Sequence, residues 1–137
     1  MATSPWSTTP RDWLGYAAAD LRAAKSLLRA SGPSPRHAGW LAEQAAEKAL
    51  HAALLAANIE PPETHNLNLL RNALPGDWAI HEQFPDLAEL SAWFTADVYP
   101  GDWARVLDDG AADIVALGEE IAGCVRDELA QRGFEVQ

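Results

Sequence analysis

At 137 residues the chain has room for one domain with a real core and too little for two. Its 48% hydrophobic and 22% charged residues are the balance of a globular protein, and the formal net charge of −10 excludes tight non-specific attachment of the chain alone to a phosphate backbone. The single Cys124 excludes an intrachain disulfide and, set in an amphipathic helical pattern, reads as a buried reduced thiol.

The charge is unevenly placed. Residues 1–60 carry six Lys/Arg against five Asp/Glu, whereas residues 61–137 carry four against fifteen, so a basic protein partner suits this chain better than a nucleic acid. No apolar run approaches the roughly 20 residues needed to cross a bilayer. The opening MATSPWSTTP lacks the basic and apolar blocks of a signal peptide. A cytoplasmic protein with no membrane partner is expected.

Residues 1–9 read as a flexible lead, with Pro5 and the Ser/Thr cluster opposing a helix. Thr9-Pro10 is a start signal, a hydroxyl N-cap followed by proline at the first helical position. The first helix is expected from Pro10 to Ala30, with a seam of Leu14, Ala17, Leu21, Ala24 and Leu28 widened by Trp13, Tyr16, Ala23 and Leu27. Asp20 interrupts the widened side, so it is either half buried with a partner or pointing at a groove. Ser31-Gly32-Pro33-Ser34-Pro35 stops this helix and starts the next.

The second helix, to about Asn58, organises the rest. Ala38, Leu41, Ala42, Ala45, Ala46, Ala49, Leu50, Ala53, Leu54 and Ala57 form one broad apolar face whose small side chains let neighbouring helices approach closely. The opposite face carries Trp40, Glu43, Gln44, Glu47, Lys48 and His51 and reads first as a solvated surface. Glu60-Pro61-Pro62 cannot continue a helix, and Thr64 follows as the N-cap of a short third helix, His65–Asn72, that buries Leu67, Leu70 and Leu74. Residues 75–85 form a loop whose aromatic residues cover the bundle. A fourth segment, from Pro85-Asp86 to Val98, carries Leu87, Leu90, Trp93 and Phe94, and Tyr99-Pro100-Gly101-Asp102 breaks it. The last helix runs from about Arg105 to Arg132 and is capped by Gly133. Gly118 lies in its seam, which a close neighbouring backbone explains. The expectation is an all-α bundle forming a single domain over residues 10–133, with a tail at 134–137.

Four stretches resemble the HEPN family of small helical domains. They are Asp20-Leu21-Arg22-Ala23-Ala24-Lys25-Ser26-Leu27-Leu28, Gln44-Ala45-Ala46-Glu47-Lys48-Ala49-Leu50, Thr64-His65-Asn66-Leu67 and Val98-Tyr99-Pro100-Gly101, and their order and spacing cover about residues 12–130. The resemblance implies an up-and-down bundle of four main helices plus a short one, dimerising through helix faces. It also implies a spread of activities. Some members are metal-independent ribonucleases using Arg-x(4–6)-His across a dimer, others pair with a small nucleotidyltransferase in toxin–antitoxin-like modules, and others are non-catalytic binders.

The sequence departs from the ribonuclease pattern. Val98 stands where an arginine usually precedes Tyr-Pro, and no arginine has a histidine five to seven residues downstream. That mechanism needs a histidine as acid or base and an arginine to neutralise the developing phosphorane. A non-catalytic module binding a nucleotide or a nucleotidyltransferase partner is therefore the first reading. The alternative is a dimeric ribonuclease with His65 or His51 as acid/base and Lys48 or Arg105 on phosphate. The candidate ligand-binding residues are Asp20, Glu47, Lys48, His51, His65 and Tyr99. Each also has a structural reading: His65 fastens the third helix through Asp20 or Glu47, Glu47-Lys48 forms interhelix ion pairs, and Tyr99 is a buried aromatic at a helix end. His37, His51, His65 and His81 are too widely spaced to suggest a metal site, and no cofactor is expected.

Overall fold

The structure is a computed structural model that describes residues 9–29, 35–94 and 102–137, with the side chains of 102–109 excepted. The expectations for the N-terminal lead before Thr9, for Ser31–Ser34 and for Tyr99 lie outside the described residues, as do those for the Leu107 and Arg105 side chains.

Helix follows where small and unbranched apolar residues recur at helical spacing. α1 spans Pro10–Arg29, α2 Arg36–Ala56, α3 Leu67–Asn72, α4 Ile80–Gln83 and α5 Ala88–Ser91; a 3₁₀ turn covers Ala92–Phe94, and α6 spans Asp102–Gln131. No strand occurs among the described residues, so the chain is all-α. α2 is the centre: it packs chiefly on α1 and α6, and also on α3 and the 3₁₀ turn. The place of a fourth helix is filled, as far as Phe94, by α5 and the 3₁₀ turn.

The alanine face of α2 does what its composition predicts. Ala38, Ala42, Ala45, Ala46, Ala49, Leu50, Ala53 and Leu54 are all fully buried. Gly118 of α6 crosses them so closely that a Cβ there would stand 3.0 Å from the Ala42 carbonyl oxygen. The chain itself covers this face, which leaves no wide apolar surface on α2 for a second copy.

The ends of the long helices carry their own signals. At the end of α2, Asn58 takes a positive φ of 61°, the Ile59 amide donates to the Leu54 carbonyl and the Asn58 amide to that of Leu55. That is a Schellman cap made by asparagine. Gly133, at φ 91°, closes α6 in the same way, with Phe134 donating to Leu129.

Three expectations need correction. The N-cap of α3 is Asn66, whose side chain accepts from the Leu69 amide, not Thr64. Thr64 Oγ1 instead accepts from the Asn66 amide, so His65 sits in the turn ahead of the helix. On α1, Tyr16 is half exposed and Ala23 exposed; Leu14, Ala17, Leu21 and Ala24 are buried, and Trp13, Leu27 and Leu28 pack partly buried beside them. Cys124 is only half buried; burial and the nearby Glu128 and Asp127 carboxylates push its thiol up, away from nucleophilic use.

One side chain sutures the short elements to one another. Asn68 accepts from the buried Leu87 amide at 2.8 Å and donates to Asp86 Oδ1 at 3.0 Å. The Asn68 bond, followed by one from the Ala88 amide, holds the Asp86 carboxyl below its ordinary range. Asn68→Ala strands the Leu87 amide in the interior and is expected to cost about 1–2 kcal/mol, read as a lower midpoint in urea unfolding.

Candidate functional site

The polar stripe of α2 is not a solvated face. No residue from Arg36 to Ala56 is exposed, and Glu43 is completely buried. A helix apolar on most of its circumference is covered on most sides, and its polar residues are buried, as Glu43 is, or held half-buried. They form a seam between α1, α2 and the turn that leads into α3.

The seam is built from paired groups. Lys48 Nζ meets Asp20 Oδ2 at 2.5 Å, linking α2 to α1 with both side chains largely shielded. Glu47 Oε1 accepts from His65 Nδ1 at 2.8 Å, linking α2 to the α3 turn. The His65 ring lies flat on Phe94, with centroids 3.8 Å apart and planes 13° from parallel. Ser91 fixes the turn that carries His65, its hydroxyl accepting from the Leu67 amide and donating to the His65 carbonyl. Trp40 Nε1 fixes Phe94 by donating to its carbonyl at 3.1 Å. His51 lies one helical turn beyond Glu47 and tilts against Trp13 at 5.1 Å, while Trp13 meets Tyr16 edge-on at 5.9 Å.

Glu43 lies one turn before Glu47. Its Oε1 accepts from Gln44 Nε2 at 2.8 Å. Burial, reinforced by the Glu47 carboxylate, pushes its carboxyl up to about 8, so at neutral pH it holds a proton. Burial lowers His51 against the opposing pull of Glu47, and the ring is therefore a neutral imidazole at that pH. Glu43 Oε2 and Glu47 Oε2 are both buried with no further hydrogen-bond partner, and the Glu43 proton is shared between the two carboxyl groups.

Five of the six sequence-predicted residues thus fall in one place: Asp20 with Lys48, Glu47 with His65, and His51 within electrostatic reach of Glu47 and His65. Tyr99 lies outside the described residues. His65 chooses Glu47 rather than Asp20, whose carboxylate is occupied by Lys48. Sequence reasoning missed Glu43 and Phe94. The signal for Glu43 was available: Ala42, Ala45, Ala46, Ala49 and Leu50 make its stretch of the helix strongly apolar. Phe94 left none, because the stacking partner of a loop histidine is fixed only by tertiary structure.

His81 has a structural role. His81 Nε2 donates to the Leu74 carbonyl at 3.1 Å. Among the described residues no three His, Cys, Asp or Glu side chains are grouped to hold a metal, and none of their helices is long and apolar enough to cross a membrane. A separate cleft of about 590 Å³, lined by residues including Arg11, Tyr16, Arg126 and Val136, takes none of Asp20, Glu43, Glu47, Lys48, His51 or His65.

The family model for the HEPN domain matches residues 10–128. The chain is also similar to the crystal structure of TT1696 from Thermus thermophilus, with 28% identity and a TM-score of 0.75 over 90% of this chain and 100% of that one. No curated protein matches.

Proposed function

The chain belongs to the HEPN domain family, and we propose that it works there as a non-catalytic binding module, engaging a nucleotide or a small nucleotidyltransferase partner at the α1–α2 seam. The observation that carries this reading is the internal commitment of the seam's catalytic-type groups. Lys48 is neutralised by Asp20, and His65 is hydrogen-bonded to Glu47 and stacked on Phe94. Phosphodiester cleavage needs a cation free to meet the developing negative charge and a histidine free to move a proton. The missing Arg-x(4–6)-His signature supports the same conclusion, and so does the acidic balance of residues 61–137, which opposes the approach of RNA. A homodimer belongs to the same proposal on the family resemblance; the alanine face of α2 no longer argues for it, being consumed within one chain.

The test is direct. Purified protein incubated metal-free with mixed cellular RNA is expected to leave the RNA intact. The same protein is expected to take up a nucleotide in calorimetry or to retain a co-expressed nucleotidyltransferase, with Lys48→Ala and His65→Ala each weakening that retention roughly tenfold. One observation favours the ribonuclease: His51 is a neutral imidazole close to Glu47 and His65. RNA cleavage that disappears in His51→Ala or His65→Ala would put the ribonuclease in place of the binding module.

A further inference from the structure

The cleft of about 590 Å³ opens between the first half of α1, the second half of α6 and the residues that follow α6. Two arginines line it, Arg11 from α1 and Arg126 from α6, against one acid, Asp12. An excess of cations is unusual in a chain with a formal net charge of −10. Neither arginine is committed to the fold. Arg126 is half-buried and forms no ion pair among the described residues. Arg11 stands in the first turn of α1, where the helix dipole disfavours a cation, and its one ion-pair partner is Glu135 at 3.3 Å. With side chains 51% and 72% exposed, that pair contributes little to stability.

Beside the arginines the wall is apolar. Leu14, Ala18, Val136 and the half-exposed Tyr16 line the space, and Trp13 meets the Tyr16 ring edge-on at 5.9 Å. Gly15 keeps the cleft open: nothing lies within 4 Å of a Cβ built there.

We propose that this cleft binds a small phosphate monoester with an apolar, ring-bearing body, the phosphate on Arg11 and Arg126 and the body against Tyr16 and Val136. Guanidinium groups meet phosphate oxygens through parallel N–H donors, and two of them balance a dianion, where a monocarboxylate leaves one unmatched. The space is within the range of small-molecule sites and far exceeds what inorganic phosphate fills, so the anion carries an organic body. A nucleic-acid strand is the poorer occupant, because its further phosphates would enter the acidic field of residues 61–137. As the ligand binds, Glu135 gives up Arg11 and turns to the solvent that already covers most of it. The cleft takes none of the ionisable residues of the seam, so the proposal stands whether or not the seam engages a partner.

Phenyl phosphate is the probe. Calorimetry at low ionic strength is expected to show one saturable site, with benzoate and inorganic phosphate each at least roughly tenfold weaker. Arg11→Gln and Arg126→Gln should each weaken phenyl phosphate at least roughly tenfold. Gly15→Leu, which fills the space from a position with no close neighbour, should abolish saturable binding. Glu135→Gln releases Arg11 and should tighten binding about twofold, whereas Glu89→Gln, on α5 and outside the cleft, should leave it unchanged. Circular dichroism and urea midpoints identify the folded variants; Gly15→Leu gains helix propensity and carries the test if an arginine variant fails to fold. The proposal is overturned by absence of saturable phenyl phosphate binding, by benzoate or inorganic phosphate binding as tightly, or by undiminished affinity in a folded Arg11→Gln, Arg126→Gln or Gly15→Leu protein. A Glu135→Gln protein that responds no more than Glu89→Gln overturns it as well.

Discussion

Gly39→Ala is expected to destabilise the bundle by about 2 kcal/mol, although alanine is the better helix former by about 1 kcal/mol. Gly39 lies in the first turns of α2, where a Cβ would come within 2.2 Å of two carbons of the Trp93 ring. The ring is buried at 6% exposure, it is rigid, and its neighbour Phe94 is pinned by Trp40, so it has little room to retreat. Overpacking of this kind costs about 1–3 kcal/mol, and a ring in place of a flexible chain puts this site at the upper end. Two other helical glycines supply the control. Nothing lies within 4 Å of a Cβ built at Gly15 or Gly123, so Gly15→Ala and Gly123→Ala are expected to raise stability by up to about 1 kcal/mol. Urea midpoints of the three variants should therefore move in opposite directions. In a Trp93→Leu background the penalty at Gly39 should vanish. A Gly39→Ala protein as stable as Gly15→Ala would show that α2 and the 3₁₀ turn are not in this contact.

The same two residues show what the sequence could and could not convey. α1, α2 and α6 were legible because their order rests on spacing along one chain: Leu14–Ala17–Leu21–Ala24 and the alanine run of α2 each need only helical periodicity to declare a face. Gly118 was legible for the same reason, since a glycine inside a seam implies a close neighbour. Gly39 was not, because its cause is a ring 54 residues downstream that follows three short helices. The site divides along the same line. Asp20, Glu47, Lys48 and His65 stood in recognisable motifs and meet in space. The depth of the seam was misjudged, however, because the polar residues of α2 were read one face at a time. A helix packed by α1, α3, the 3₁₀ turn and α6 has no fully exposed face, and Glu43 is buried by the company of its neighbours rather than by its own character.

That burial leads to the second large effect, a stability that falls as the solution becomes more alkaline. The carboxyl of Glu43 is raised from 4.5 to about 8, first by desolvation and then by the Glu47 charge. In the unfolded chain it ionises near 4.5, whereas in the folded chain it keeps its proton until about 8. Below the lower value both states are protonated and the group's full contribution is present. Between the two values only the unfolded state has lost its proton, so stability declines at roughly 1.4 kcal/mol per pH unit and levels off above the higher one. The whole loss is on the order of 5 kcal/mol, a large part of what holds a domain of this size folded. Glu43→Gln isolates it. The amide oxygen still accepts from Gln44, and the amide N–H can donate to Glu47 as the carboxylic acid does, so at about pH 5 the variant should match the parent to within about 1 kcal/mol. By about pH 8 it should be more stable by several kcal/mol, with a urea midpoint nearly flat in the interval where that of the parent falls. Other carboxylates titrate alike in both proteins and cancel in the difference. Parallel midpoints from about pH 5 to about pH 9 would mean that Glu43 is ionised in the folded seam, and then Lys48 must be divided between it and Asp20.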